Sequence, residues 1–148
     1  MSITELLSVN LIKLELGSKT KEDVIIEMVK ILDENGKLLD ADKYLQAVLD
    51  REKEFSTGIG MGIAIPHGKS SGVKEAALVF GRSVAGIDYQ SMDDELAHIF
   101  FLIAVPEESS DEHLKILSQL SRKLMHKDLR ESLMKATSAG EVITLLEK

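Results

Sequence analysis

The sequence predicts an α/β fold, a single domain in which helices flank one β-sheet and the C-terminal third of the chain is helical. Three observations lead to this prediction. Helical periodicity dominates both ends of the chain, short apolar runs typical of strands lie in the middle, and no linker interrupts residues 1–148. A chain of 148 residues is also long enough to bury a hydrophobic core.

The first third of the chain predicts one strand and two helices. The alternating segment NLIKLELG, residues 10–17, indicates a half-buried strand. Thr20 and Asp23 have the spacing of a capping box, and they open a helix that closes near Asn35. A second helix starts near Asp40. Both helices repeat their apolar residues at helical spacing, so each should pack one face against the sheet.

The middle of the chain predicts the remaining strands. GIAIP (62–66) and AALVFG (76–81) are short candidates, and LAHIFFLIAV (96–105) has the continuous apolar character of a strand buried on both faces. Residues 82–95 between the last two are polar and predict a connection with a turn at Gly86.

After Pro106 the pattern is helical to the end of the chain. SSDEHLKILSQLSRKLMHKD (109–128) predicts one long amphipathic helix with Ser109 or Ser110 as its N-cap. Residues 129–137 and 138–148 predict two shorter helices, the last of them capped by Ser138.

Composition excludes several classes of function. Acidic residues outnumber basic ones by 25 to 18, and with no basic stripe to neutralise phosphates we expect no nucleic-acid partner. The chain has no cysteine, which excludes disulfides, thiolate metal sites and cysteine nucleophiles. The N-terminus shows no secretory signal, and the longest apolar run, residues 99–105, is too short to span a bilayer. We therefore expect a cytoplasmic protein without a membrane segment.

The segment STGIGMGIAIPHGK, residues 56–69, has the most unusual composition in the chain. Its glycines suggest a phosphate-binding loop, but their spacing and their place after a helix match neither a dinucleotide-binding loop nor a P-loop. His67 follows a proline that stiffens the backbone and precedes a glycine that leaves the ring uncrowded. Such a histidine could be a nucleophile that forms a covalent intermediate. The alternative is a histidine that merely packs at the end of a strand.

A second histidine, His113, falls in the first turn of the predicted long helix, on the same face as Ile116, Leu117 and Leu120. The positive end of a helix favours a neutral imidazole and attracts anions. His113 could therefore help to hold a phosphoryl group on His67, or it could be a buried histidine bonded to the backbone.

The other two histidines carry weaker signals. His98 lies within a predicted strand, and His126 lies in the last turn of the predicted long helix, where a cation is favoured. A metal site would need a ligand spacing such as H-E-x-x-H, which the sequence lacks. We expect no metal and no cofactor.

DREKEFSTGIGMGIAIPHGK, residues 50–69, resembles the active-site signature of the fructose/mannitol type of enzyme IIA in the bacterial phosphoenolpyruvate-dependent sugar phosphotransferase system. The resemblance continues through residues 99–125 to the C-terminus. The positions that carry the signature are Glu52, Ile59, Gly60, Ile63, Ala64, Ile65, Pro66, His67 and Gly68.

The resemblance implies a mixed sheet, one enzyme IIA domain over residues 1–148, and a role as a phosphotransferase component. His67 would accept a phosphoryl group on Nε2 from the histidine-containing phosphocarrier protein and pass it to a cysteine of enzyme IIB during uptake of fructose or a related sugar or polyol. A hydrogen bond to Nδ1 should fix the tautomer. His113 matches the second active-site histidine, and Arg51 matches an arginine near the phosphoryl group. Ile59, Met61 and Ile63 are candidates for a docking surface around the phosphohistidine, and Ile63 and Ile65 are equally candidates for core positions.

The resemblance leaves one alternative open. In the related nitrogen-type enzyme IIA, phosphorylation of the residue equivalent to His67 acts as a signal that controls binding to target proteins. The segment before His67 fits that branch, whereas residues 99–125 look more like the sugar branch.

Overall fold

The structure is a computed structural model that describes residues 2–109 and 111–148, without the side chains of Glu112 and His113. Within these residues, six strands form one sheet and six α-helices pack around it. The strands are β1 (Ile12–Lys13), β2 (Gly58–Gly60), β3 (Ile63–Ala64), β4 (His67–Ser70), β5 (Ala77–Ile87) and β6 (Ala97–Pro106). The helices are α1 (Ile3–Leu6), α2 (Lys21–Glu34), α3 (Ala41–Glu54), α4 (Glu112–Leu124), α5 (Lys127–Lys135) and α6 (Ala139–Glu147).

The sheet is mixed, as predicted, and β6 lies at its centre. The strand order is β1-β5-β6-β3-β2, and β4 also pairs with β6. β5 pairs with β6 antiparallel, whereas β3 and β4 both run parallel to β6. Residues 99–105 in the middle of β6 are all buried, which confirms that this apolar run is covered on both faces.

The first predicted strand is much shorter than its alternating pattern indicates. A 3₁₀ turn at Val9–Leu11 precedes it, and only Ile12–Lys13 pair with β5. The carbonyl of Leu14 accepts a hydrogen bond from Nε of Arg82 at 3.0 Å, so a side chain takes the place of a strand partner there.

The prediction that residues 82–95 begin as a polar connection is wrong, because β5 continues to Ile87. Arg82 is buried in the strand, where its Nη1 donates to the carbonyls of Leu133 at 2.9 Å and Ala136 at 2.7 Å. These bonds fasten the end of α5 to the sheet. Gly86 has a φ of 90° and lies within the strand, at a register shift between Arg82 and Ile87.

The caps predicted for α2 and α6 are confirmed, and Asp40, near which a helix was predicted to start, caps α3 in the same way. The side chains of Thr20, Asp40 and Ser138 accept hydrogen bonds from the backbone N–H groups three residues further on, at 3.3, 3.1 and 3.1 Å. Each bond satisfies one of the free N–H groups at a helix start. Local side-chain chemistry therefore sets where these helices begin.

The long helix predicted over residues 109–128 is two helices. α4 ends at Leu124, whose carbonyl accepts a hydrogen bond from Nη1 of Arg130 at 2.7 Å, and α5 starts at Lys127. His126 has an extended backbone and is the N-cap of α5, so its predicted place in the last turn of a long helix is wrong. Asp111 stands at the N-cap position of α4, without a side-chain hydrogen bond to the helix start, where the sequence predicted Ser109 or Ser110. Ser110, the other candidate, lies outside the described residues.

One hydrophobic core joins the sheet to the helices on both of its faces. The inner faces of α2 and α3 contribute Met28, Tyr44 and Val48, all fully buried. In the described part of the chain, no helix has the length and apolar character needed to cross a membrane.

Candidate functional site

The glycine-rich segment forms the tight β2–β3 hairpin. Gly60 and Gly62 have φ angles of 94° and 78°, in the region that favours glycine, and Met61 between them also has a positive φ of 59°. Gly58 serves another purpose, since a Cβ there would lie 2.5 Å from Oγ of Ser91. These glycines therefore shape a turn and a close contact.

His67 opens β4 just after the interruption at Pro66. β3 and β4 pair with successive parts of the same strand, with Ala64 opposite Phe100 and His67 opposite Ile103. Pro66 has no N–H to donate and lies in the gap between them. His67 is therefore the first residue of β4, and its partner residue in β6, Ile103, is fully buried.

Gly68, which the sequence predicts to leave the ring of His67 uncrowded, also lies directly against α3. A Cβ on this residue would lie 3.0 Å from Cγ2 of Val48 and 3.2 Å from Cε1 of Tyr44, both on α3. Ordinary carbon contacts are about 3.5–4.0 Å. The glycine therefore lets α3 approach β4 closely, and α3 is the helix that carries Arg51.

The ring of His67 is held in one tautomer. Nδ1 lies 2.9 Å from the carbonyl oxygen of Ile65, which can only accept, so Nδ1 carries the proton and Nε2 carries the lone pair of the neutral ring. Burial lowers the pKa of His67 below its usual 6.5, and the nearby charge of Arg51 lowers it further. The hydrogen bond to Ile65 and the charge of Glu52 act in the opposite direction. The result is a neutral imidazole near pH 7, which is the nucleophilic form.

Arg51 and His67 line the same pocket, which has a volume of about 450 Å³. Arg51 is in the last turn of α3, where its Nη1 donates to the carbonyl of Phe55 at 3.0 Å and its guanidinium lies 4.6 Å from the centre of the Phe55 ring. These contacts hold a cation at the wall of the pocket. A guanidinium in that place is suited to bind the oxygens of a phosphoryl group.

The helix that carries His113 also reaches this pocket. Leu117 of α4 is one of the lining residues, and residue 113 lies one helical turn before it. The side chain of His113 lies outside the described part of the structure. The role predicted for it stays a prediction.

The other two histidines lie elsewhere. His98 is half-buried in β6, and its Nδ1 lies 3.0 Å from the carbonyl oxygen of Ser83. This bond agrees with a packing role. Among the described residues, no three histidine, aspartate or glutamate side chains gather in an arrangement that could hold a metal ion.

Apolar side chains surround the opening of the pocket. Phe55 and Met92 are 70% and 79% exposed, and Ile59 is half-buried beside them. Ile63, which the sequence offered as either a docking or a core residue, is fully buried in the core. Met61 is exposed but lines a different pocket, together with His98 and α5.

Glu52 had no predicted role beyond its place in the signature, yet its carboxylate is a centre of hydrogen bonding. Oε1 accepts from the backbone N–H of Thr57 at 3.1 Å and pairs with Nζ of Lys21 at 3.0 Å. Oε2 accepts from the hydroxyl of Tyr89 at 3.0 Å and from the hydroxyl of Thr57. One signal was available, since Tyr44, Val48 and Glu52 follow each other at four-residue spacing and share the inward face of α3.

Comparisons with known proteins agree with this geometry. The family profile described as "Phosphoenolpyruvate-dependent sugar phosphotransferase system, EIIA 2" matches residues 5–148. The PTS system fructose-specific EIIABC component of Bacillus subtilis is 48% identical over 148 residues, which is 100% of this chain and 23% of the relative. The PTS system fructose-specific EIIA component of Haloferax volcanii is 42% identical over 149 residues, which is 99% of this chain and 97% of the relative.

Two solved structures superpose on most of the chain. The nitrogen regulatory protein IIA-Ntr of Neisseria meningitidis has a TM-score of 0.89 at 36% identity and covers 97% of this chain and 98% of its own. The enzyme IIA of mannitol from Escherichia coli, in complex with its phosphorylated enzyme IIB, has a TM-score of 0.83 at 30% identity and covers 95% of this chain and 96% of its own. The chain belongs to the EIIA 2 family of the phosphoenolpyruvate-dependent sugar phosphotransferase system and is a phosphocarrier of such a system.

Proposed function

We propose that residues 1–148 form one enzyme IIA domain that carries a phosphoryl group on Nε2 of His67. The domain would accept the group from the histidine-containing phosphocarrier protein and pass it to a cysteine of enzyme IIB during uptake of fructose or a related sugar. The observation that carries this proposal is the hydrogen bond from Nδ1 of His67 to the carbonyl of Ile65, because it leaves the lone pair on Nε2. The fructose-specific names of relatives at 48% and 42% identity support the choice of sugar.

Acceptance by His67 needs no proton transfer when the other ring nitrogen of the donor phosphohistidine carries a proton, because the donor then leaves as a neutral imidazole. The lone pair of Nε2 attacks the phosphorus of the donor phosphohistidine, and the P–N bond of the donor breaks with its electron pair returning to the donor ring. His67 keeps its Nδ1 proton, bonded to Ile65, throughout the step. Catalysis then consists of holding the two rings in line and stabilising the phosphoryl oxygens. Arg51 supplies a positive charge at the pocket wall for the second task, and His113 is the expected further donor.

The proposed partners are two proteins, and the pocket opening suits contact with a protein surface. Its exposed apolar side chains, Phe55 and Met92, would exclude water around the phosphoryl group when a partner covers them. The mannitol enzyme IIA of E. coli forms a complex with its phosphorylated enzyme IIB, and we propose the same kind of acceptor here. The proposed reaction occurs in the cytoplasm and requires neither a metal nor a cofactor in this chain.

The test begins with phosphorylation. Enzyme I, the phosphocarrier protein and phosphoenolpyruvate should add one acid-labile phosphoryl group to the purified chain, and His67→Ala should remove all of it. His98→Ala is the matched control, since its ring also bonds to a backbone carbonyl but lies at another pocket. Label on the His67→Ala variant, or loss of label in the control alone, would contradict the assignment.

The second candidate function is regulatory. The likeness to the nitrogen regulatory protein IIA-Ntr at 36% identity favours it, because the same phosphohistidine chemistry would then serve as a signal. The two functions differ in the fate of the phosphoryl group. A phosphorylated chain that transfers label to a fructose-type enzyme IIB is a transport component, and one that keeps its label while binding of a target protein changes is a regulator.

A further inference from the structure

Glu52 lies beside the reacting histidine, but its carboxylate is bonded to other groups. Its side chain is 6% exposed, although it sits in the highly charged end of α3 between Arg51 and Lys53. Both partners of Oε1 and both partners of Oε2 are donors, so the carboxylate acts as an acceptor alone. A buried carboxylate is costly unless such partners satisfy it, and here they come from three separate segments.

A continuous chain of hydrogen bonds leads from this carboxylate to the imidazole of His67. Glu52 holds the backbone N–H of Thr57 at 3.1 Å. The carbonyl of Thr57 accepts from the N–H of Ile65 at 3.1 Å, and the carbonyl of Ile65 accepts from Nδ1 of His67 at 2.9 Å. The carbonyl that selects the tautomer of His67 is therefore placed through Thr57 by Glu52.

Lys21 and Tyr89 bind the same carboxylate from two other segments of the chain. Nζ of Lys21 pairs with Oε1 at 3.0 Å and lies 4.6 Å from the centre of the Tyr89 ring, while the Tyr89 hydroxyl donates to Oε2. Residues from the start of α2 and from the segment after β5 thus bind the same carboxylate. Thr57 in turn is bound through both its N–H and its hydroxyl, which fixes its orientation as well as its position.

We propose that Glu52 is a positioning residue for phosphoryl transfer at His67, acting through Thr57 and the carbonyl of Ile65. This inference rests on the proposed function. The hydrogen bonds of Glu52 reach Nδ1 of His67 only through the backbone, so its effect is on the orientation and tautomer of the ring. It also ties the last turn of α3, which carries Arg51, to Thr57, the residue before β2.

The first test compares Glu52→Gln with Glu54→Gln, which makes the same change of charge at an exposed position of the same helix turn. An amide offers one oxygen where the carboxylate offers two, so its NH₂ group must face a donor from Thr57, Tyr89 or Lys21. Misplacement by about 1 Å can cost about a hundredfold in rate, so a partial displacement should lower kcat about five- to tenfold. KM for the phosphocarrier protein should stay within about twofold, because partner binding uses other residues. Glu54→Gln should match the wild type.

The second readout is the ¹⁵N spectrum of the His67 ring, which a purely structural role of Glu52 would leave unchanged. The wild type should show a protonated Nδ1 and an unprotonated Nε2, and Glu52→Gln should show a mixture of tautomers. Thr57→Val is a second variant that keeps the backbone N–H bond to Glu52 and removes the hydroxyl, with its bond to Glu52 and its 3.4 Å contact to the hydroxyl of Tyr89. It gives a folded alternative should the glutamine variant fail to fold.

The outcomes separate this inference from the proposed function. Absence of phosphorylation on His67 in the wild type refutes the proposed function, whatever the variants do. A phosphorylated wild type together with wild-type kcat in every folded variant overturns the positioning role alone. A lower kcat with an unchanged ring spectrum also overturns it, since Glu52 would then act elsewhere. A lower kcat, an unchanged KM and a tautomer mixture together support it.

Discussion

Replacing Gly68 with alanine tests whether the close approach of α3 to β4 matters for the site. The new Cβ would lie 3.0 Å from Cγ2 of Val48, 3.2 Å from Cε1 of Tyr44 and 3.4 Å from N of Val48. The first two contacts are at least about 0.3–0.5 Å shorter than ordinary carbon contacts of about 3.5–4.0 Å. Tyr44 cannot swing away, because it is fully buried and its hydroxyl donates to the carbonyl of Ile103 at 2.7 Å.

The strand and the helix must therefore separate by a few tenths of an ångström. Overpacking of this kind costs about 1–3 kcal/mol, so we expect Gly68→Ala to lower the free energy of unfolding by about 2 kcal/mol. His67 is on the strand and Arg51 is on the helix, so the same shift should slow phosphoryl acceptance. Gly140→Ala is the matched control, since a Cβ there meets nothing within 4 Å. It should be neutral or stabilising by up to about 1 kcal/mol.

The assay is urea unfolding followed by circular dichroism, together with the rate of phosphoryl acceptance. Val48→Ala removes the methyl group that the new Cβ would meet, so the double variant should recover at least about 1 kcal/mol relative to additivity. A Gly68→Ala variant within about 0.5 kcal/mol of the wild type and additive with Val48→Ala would refute the reasoning, because the helix would then have room for the side chain.

Two further predictions concern the histidines. Since burial lowers the pKa of His67 below 6.5, the neutral nucleophile should persist down to about pH 6.5 and acceptance should fall only below it; an NMR titration midpoint at or above 6.5 would contradict this. The unfolded chain binds that proton more readily than the folded one, so the free energy of unfolding should decrease as the pH falls below 6.5 toward the lower pKa of the folded state. His113→Gln should keep an N–H donor and remain phosphorylated at His67, whereas His113→Ala should lose up to roughly a hundred- to a thousandfold in rate; equal rates in both would show that no donor is needed there.

Short-range chemistry made part of the fold predictable. The caps at Thr20, Asp40 and Ser138 involve residues three positions apart, so the sequence contains both partners. The buried character of β6 follows from a continuous apolar run. The break between α4 and α5 was not predictable in this way, because no glycine or proline marks it and Arg130 closes α4 from the next helix.

β5 shows why a polar segment is wrongly predicted as a surface connection when its hydrogen-bond partners are distant in the sequence. Arg82 and Ser83 are typical of a surface connection, yet both are buried in the strand. The carbonyls that satisfy the guanidinium belong to Leu14, Leu133 and Ala136, 51 to 68 residues away. The pattern over a dozen neighbouring positions contains none of these acceptors, so it predicts that the side chain of Arg82 faces solvent.

The same limit applies to the site. His67 could be selected from its sequence because proline and glycine act on it directly, and the signature marks its place. The signature also includes Glu52, but its role was not predictable, because it stands in a run of charged residues and its donors come from Lys21, Thr57 and Tyr89. Its spacing from Val48 marks the inward face of α3, and an ionised group on such a face must be paired. A charged residue at a core position of an amphipathic helix therefore indicates a network of buried partners, and here that network ends at the nucleophile.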